Sequence, residues 1–261
     1  MGIQQRKSWK ILLIGDHCID VYHYGVCERL SPEAPVPILK ETNTETKMGM
    51  SSNVRMNLKA FGLSVRHEHN KHIIQKHRII DSRFNHHLLR YDVGEEHILP
   101  EFDVSKLDNI KSVDAVIISD YNKGFLRYNT IVKLCEKFKD IPVFADTKKQ
   151  KLNCFSNCVI KINEKEFKSI KNMPDNCEFV VTLGPNGALY NHEIYKTEQT
   201  EVFDVCGAGD VFLSGLVYGF LKTTDLKQAI AIANKCASYS VTKMGTYVMT
   251  PQDLKTIGVL N

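Results

Sequence analysis

Proline is scarce in these 261 residues, 8 in all beside 15 glycines, and no Pro-, Gly- or Ser-rich tract or internal repeat interrupts them. That excludes a collagen-like or low-complexity chain and leaves no flexible linker to divide it. Long apolar runs are missing near the start: in MGIQQRKSWKILLIGD the run covers only 11–14. This is too short for a secretory signal or a membrane span, so the expectation is a cytoplasmic protein with no membrane partner. No Cys-x-x-Cys pair occurs among Cys18, Cys27, Cys135, Cys154, Cys158, Cys177, Cys206 and Cys236. Scattered thiols in a chain long enough to build its own core predict reduced cysteines and no zinc site. Neither sign of charge dominates, with 34 Lys and Arg against 30 Asp and Glu, which gives no case for nucleic acid. What is present, 43% apolar and 25% charged residues, describes a folded globular chain.

Apolar, β-branched runs at 11–14, 113–118, 143–145, 159–162 and 179–183 predict buried strands. Helical spacing at Val54, Leu58 and Phe61, and again at Ile131, Leu134 and Phe138, places helices between them. The alternation predicts an α/β fold with a mostly parallel central sheet and helices on both faces. Beyond Thr200 the pattern is helical over 211–221 and 226–244, and Thr250-Pro251-Gln252-Asp253 opens a last short helix. The polar, His-rich stretch from about 36 to 99, with short strands at 36–39 and 87–91, predicts a small β lid. This lid is formed mainly within about 20–42 and 76–100 of a single domain spanning 1–261. Its exposed strand edges invite a second copy, so a homodimer is expected.

Asp204-Val205-Cys206-Gly207-Ala208-Gly209-Asp210 leads into an apolar helix. Small residues at a helix start leave backbone N–H groups open and the helix dipole adds positive charge, which suits an anion. Asp210, in the first turn, can take a proton from an attacking hydroxyl during phosphoryl transfer; the same residues also make an ordinary Gly-rich turn with an acidic cap. Asp20 follows a buried strand at its carboxyl end, where open α/β sheets bind ligands. Asn163 and Glu166 fit a helix N-cap and its capping box. Thr182, Gly184 and Gly187 form a Gly-rich turn after a strand, and Asn234 alone is an exposed helix polar residue. Arg90, Lys123 and Lys148 are cations that a phosphorylated ligand needs. The run His67-Glu68-His69-Asn70-Lys71-His72, like His86 and His87, reads as polar loop rather than metal site.

Gly207-Ala208-Gly209-Asp210 resembles the signature of the ribokinase-like (PfkB) sugar kinases, and the N-terminal half narrows the likeness. Gly15-Asp16-His17-Cys18-Ile19-Asp20 and Ser31-Pro32-Glu33-Ala34-Pro35-Val36-Pro37 resemble the D-glycero-β-D-manno-heptose 7-phosphate kinase branch. Further blocks, Ser119-Asp120-Tyr121-Asn122-Lys123-Gly124, Asp146-Thr147-Lys148, Asn163-Glu164-Lys165-Glu166 and Lys243-Met244-Gly245-Thr246, extend the resemblance over nearly the whole chain.

The resemblance implies a ribokinase-like fold and an ATP- and Mg2+-dependent kinase that phosphorylates O1 of heptose 7-phosphate to the 1,7-bisphosphate, feeding ADP-heptose for lipopolysaccharide. Asp210 would be the base, with the amides around Gly207, Ala208 and Gly209 as the anion hole. Asp20, Gly49 and Asn53 would hold the sugar, with Arg90 and Lys123 at its phosphate. Lys148, Asn163, Thr182, Gly184, Gly187, Asn234 and Gly245 would hold the nucleotide, and Glu166 the magnesium through water. Departures are Met50 at the usual second glycine, Cys206 for the usual Thr near a monovalent-cation site, and a stretch over 62–76 too short for the strand and helix expected there. Nothing after Gly245-Thr246 matches the nucleotidyltransferase often fused to this branch, so that activity is expected from a separate protein. A kinase for another sugar is the alternative; a non-catalytic sugar- or nucleotide-binding protein is disfavoured because Asp20, Asn53, Asn163, Glu166 and Asp210 are all intact.

Overall fold

The computed structural model describes residues 8–260 apart from 98, 111 and 175; the expectation drawn from the first seven residues lies outside the described residues. In chain order the elements are β1 (Lys10–Gly15), β2 (His17–Leu30), β3 (Pro37–Met50), α1 (Ser51–Ala60), β4 (Ser64–His69), β5 (Ile74–Asp81), β6 (His86–Val93), β7 (Ala115–Asp120), α2 (Tyr128–Lys137), β8 (Val143–Thr147), β9 (Cys158–Asn163), α3 (Glu164–Lys168), β10 (Glu178–Thr182), β11 (Ala188–Tyr190), β12 (Glu193–Tyr195), α4 (Ala208–Thr223), α5 (Leu226–Ser240) and α6 (Pro251–Thr256). They form an eight-stranded sheet, ordered β12-β11-β10-β9-β8-β7-β1-β4, and a four-stranded sheet, β3-β2-β5-β6. The large sheet is parallel from β4 to β10 and ends in the antiparallel β11 and β12.

Period-two alternation sorts each central strand between two cores. Ile11, Leu13, Ala115 and Ile117 face α1, α4, α5 and α6, while Leu12, Ile14, Val116 and Ile118 face α2. A strand buried on both faces must be apolar throughout, which is why KILLIG reads as a continuous run. Helix α4 is apolar on all sides because α1, α5 and the sheet enclose it. Its Gly219 permits the closest approach: a Cβ there would lie 2.7 Å from Ala229 Cα. The short α6 begins with the Thr250–Asp253 capping box and Pro251 in its first turn.

Three segments differ from the sequence expectation. Of residues 67–72, read as polar loop, the first three belong to the edge strand β4, which pairs with β1, and Asn70 to Ile73 lead straight into β5 with no helix. Strand β3 runs 14 residues rather than four. Pairing with β2 holds it, joined by the Thr42 hydroxyl donating to the Tyr24 carbonyl at 3.2 Å, without the burial that would leave an apolar pattern. Helix α5 stops at Ser240 instead of 244. The released Val241 carbonyl accepts from the amides of Phe203 and Asp204, tying down the segment before Gly207.

The His-rich edge has a consequence for acid stability. His17, His67 and His69 cluster with ring centroids 4.9 and 4.6 Å apart, and His17 and His67 share hydrogen bonds with Ser52 and Ser51 at 2.7 and 2.9 Å. Burial, with the neighbouring imidazole, lowers His17 to about 4 and His67 to about 3. Their folded values lie below the unfolded one, so the unfolded chain takes up protons first. Stability is therefore lost as pH falls from roughly 6.5 toward 4, at about 1.4 kcal/mol per pH unit for His67 and less for the half-exposed His17, where solvent screens the charge. Urea melts at stepped pH on wild type and His67→Gln test this, and an equal slope in both proteins contradicts it.

Candidate active site

Helix α4 begins at Ala208 behind Gly207, whose φ of 77° and lack of a Cβ are both required: a Cβ would meet Asn53 Nδ2 at 2.8 Å. One turn in, Asp210 is 4% exposed. Asn53 Nδ2 donates to its Oδ2 at 3.0 Å and the Tyr121 hydroxyl to its Oδ1 at 2.7 Å. Burial pushes this carboxyl up to about 6, against the lowering pull of those two donors. The geometry describes a buried, oriented carboxylate able to take up a proton near neutral pH.

The turn bearing Tyr121 is itself fixed by Asp16, whose Oδ2 accepts from the Tyr121 and Lys123 amides at 2.7 and 3.3 Å. Removing the hydroxyl in Tyr121→Phe takes away a donor that favours the ionised base. The Asp210 carboxyl should then titrate at higher pH, as a carbon-13 NMR titration of the two proteins would show. A Phe variant with an unmoved titration contradicts this.

On one side of Asp210 lies the inner face of the four-stranded sheet. Asp20, on β2, takes the Arg78 guanidinium on Oδ1 at 2.6 Å and the Thr246 hydroxyl on Oδ2 at 3.1 Å. Gly49 on β3 makes room for it, since a Cβ would lie 2.3 Å from Asp20 Oδ2 and 2.5 Å from Cys18 Sγ. The Tyr22 hydroxyl accepts from the Thr246 amide at 2.9 Å, and the Gly245 amide donates to Asp204 at 2.9 Å.

On the other side stand the carboxyl ends of β8 and β9. Asp146 pairs with Lys161 at 2.7 Å and Lys148 at 3.1 Å, and Lys148 reaches Glu166 at 2.6 Å. Asn163 and Glu166 form the capping box of α3 at 2.9 and 2.8 Å. Lys161 Nζ crowds the helix start so closely that a Cβ on Gly209 would be 2.8 Å away. Beyond it, a cleft of about 360 Å³ is lined by Thr182, Gly184, Gly187, Ala208, Gly209 and Asn234, among others.

The structure thus groups Gly207, Ala208, Gly209, Asp210 and Asn53 at one point, Asp20 and Gly49 on the sheet side, and Lys148, Asn163, Glu166, Thr182, Gly184, Gly187 and Asn234 on the cleft side. Several placements differ from the expectation. Asn53 is spent on Asp210 and Asn57. Asn234 is buried, its amide donating to the Tyr195 carbonyl at 2.7 Å. Gly245 sits beside Tyr22 and Lys47, away from the cleft. Arg90 is held by both oxygens of Asp92 and Lys123 by Glu95. At this turn the Ala208 and Asp210 amides already donate to the carbonyls of Val205 and Gly207 at 3.2 and 3.0 Å. Among the described residues no group of three His, Cys, Asp or Glu could hold a metal.

Sequence reasoning missed Asp16, Lys76, Arg78, Tyr121 and Lys161. The signal for Lys161 was a lone cation inside the apolar strand CVIKIN, and for Lys76 and Arg78 the alternation in IQKHRIID. Tyr121 lay within a quoted motif but carried no chemical signature of its own.

Comparison with known proteins places this arrangement. The sequence pattern of the pfkB family carbohydrate kinases matches residues 50–253. The bifunctional protein HldE of Nitratiruptor sp. is 30% identical across 94% of this chain and 64% of its own length. HldE of Campylobacter jejuni subsp. jejuni is 30% identical across 97% and 65%. The chain therefore spans just under two thirds of these relatives. Phosphofructokinase-2 of Escherichia coli, solved with potassium, superposes with a TM-score of 0.72 at 14% identity, covering 95% of this chain and 98% of that one. Arabidopsis thaliana ribokinase, complexed with ribose and ATP, gives 0.67 at 12% identity over 96% and 98%. These likenesses show the ribokinase-like fold. With the family pattern spanning most of the chain, this protein belongs to the pfkB family of carbohydrate kinases, phosphotransferases that act on a sugar hydroxyl.

Proposed function

We propose that the chain moves the γ-phosphoryl group of ATP onto O1 of D-glycero-β-D-manno-heptose 7-phosphate, giving the 1,7-bisphosphate on the way to ADP-heptose. The observation that carries the reading is the buried, doubly hydrogen-bonded Asp210 between a cation-rich sheet face and an open cleft. The segment Ser31-Pro32-Glu33-Ala34-Pro35-Val36-Pro37 and the HldE relatives support heptose as the sugar. Asp210 takes the proton from O1 as it attacks, and the bonds from Asn53 and Tyr121 keep the carboxylate ionised and aimed. Lys161, Lys148 and the open Gly209 amide meet the charge that develops on the transferring group.

The donor set on the cleft side fits magnesium rather than a softer metal. Glu166, Asn163 and Asp146 offer only oxygen, and their ties to one another and to lysines leave a role through water. When bound there, magnesium would neutralise the phosphates of ATP. A monovalent cation near Cys206 belongs to the same reading: the Cys206 amide donates to Asp204 Oδ1 at 2.9 Å, so the turn forms without the usual Thr. A homodimer through the four-stranded sheet is supported by exposed Met48, Leu89, Tyr91 and Val93. A cytoplasmic location completes the proposal; among the described residues no helix is long and apolar enough to cross a membrane.

A second reading, a kinase for a different sugar, is favoured by Met50. This buried residue adopts φ 54°, ψ −133°, a conformation suited to glycine, and fills space at the start of α1. ADP release measured over a panel of sugars and sugar phosphates separates the two. Turnover highest with the heptose phosphate supports the first, and turnover confined to another sugar supports the second.

A further inference from the structure

Every second residue of β5 turns inward, and Lys76 is one of them, 9% exposed. Among the described residues its ammonium has no hydrogen bond and no ion pair; it lies 5.6 Å from the centre of the Tyr121 ring. The other cations around it are taken: Arg78 by Asp20, Arg90 by Asp92, Lys123 by Glu95, and Lys148 by Asp146 and Glu166. Asp92, directly across the ladder from Lys76, spends both oxygens on Arg90. An ammonium on this inner face with no hydrogen-bond acceptor of its own is open to an anionic group brought by a ligand.

We propose that Lys76 is the binding group for a phosphate monoester carried by the acceptor sugar, an inference that rests on the sugar-phosphate reading above. Position distinguishes this anion from the phosphates of ATP. Lys76 sits on the same sheet face as Asp20 and Arg78, and Cys18 on that face feels the charges of Asp20, Lys76, Asp210 and Arg78 together. The nucleotide-side cleft is lined by residues 182–241 and includes none from this sheet. Lys148 approaches the same Tyr121 ring at 5.3 Å from the strand end that carries Asp146. The tyrosine that orients the base thus has one cation assigned to the acceptor's phosphate and one to the donor's.

Lys76→Met and Lys76→Arg, assayed with D-glycero-β-D-manno-heptose 7-phosphate and with the same heptose lacking phosphate, test the assignment. In Lys76→Met the KM for the phosphorylated sugar should rise about 100-fold, the preference over the bare sugar should collapse, and the KM for ATP should stay within about twofold. Lys76→Arg should restore part of the preference. Inorganic phosphate supplies a readout without turnover: it should raise the melting temperature of wild type and not of Lys76→Met, which without phosphate should melt no lower than wild type. A Lys76→Met enzyme that keeps the preference, keeps the phosphate-induced shift, or loses ATP affinity instead overturns the assignment. A wild-type enzyme that treats the two heptoses alike overturns the sugar-phosphate reading itself.

Discussion

Asp210→Asn is expected to lower kcat by roughly 10³-fold while leaving the fold and the substrate KM values little changed. The substitution keeps the shape of the side chain, and it removes a carboxylate whose burial raised its pKa to about 6. Folding stability is therefore not at risk, since neutralising a desolvated charge relieves its burial. The same raised value sets the pH dependence of the wild-type enzyme. A base is active when ionised, so kcat/KM should fall as pH drops through about 6 and be flat above it. Initial-rate ADP release from pH 5 to 9 on wild type and variant measures both effects. A variant within tenfold of wild type, or an acid limb near the ordinary carboxylate value, would show that Asp210 is not the base.

The largest loss of stability should follow Arg78→Met. Its side chain and that of Asp20 are 8% and 6% exposed and 2.6 Å apart. Removing the guanidinium leaves Asp20 buried with only the Thr246 hydroxyl on its other oxygen. A buried carboxylate stripped of its counter-ion costs about 3–5 kcal/mol. For a chain of this size that corresponds to a fall in melting temperature on the order of 10 °C. The double variant Asp20→Asn/Arg78→Met should recover much of the loss, because neither charge then remains to be buried. Calorimetry on the three proteins decides it. A double variant as unstable as the single one would mean that packing, rather than the unpaired charge, sets the cost.

The difference between what was legible in the sequence and what was not follows from burial. Strands β1, β7, β8, β9 and β10 lie inside, so their apolar runs announce them. Strands β3 and β4 lie at sheet edges, where ladder pairing rather than side-chain burial holds them, and Thr-rich or His-rich segments conceal most of β3 and all of β4, whereas the edge strand β6 was legible over 87–91. The start of α4 was legible because Gly207 to Asp210 combine a conformation with a chemistry. Asn163 and Glu166 were legible twice over, as capping box and as motif. Contacts between segments distant in the chain were not. Arg78 finds Asp20 58 residues away, Tyr121 finds Asp210 89 away, and Thr246 finds Asp20 226 away. The pairing of β5 with β2 brings Arg78 to Asp20, and Tyr121 meets Asp210 where the end of β7 adjoins the start of α4. The placement of Arg90 and Lys123 shows the converse: a cation in a suggestive motif was already held by the nearest acid.

The central claim, that Asp210 activates the anomeric hydroxyl of a heptose phosphate toward ATP, is tested most directly by phosphorus NMR. Wild type and Asp210→Asn are each mixed with Mg-ATP and D-glycero-β-D-manno-heptose 7-phosphate. The account predicts ADP together with a second, anomeric phosphate resonance on the sugar for wild type, and an unchanged spectrum for the variant over the same interval. ATP loss without a new sugar phosphate, or the same product formed at a similar rate by Asp210→Asn, would contradict it.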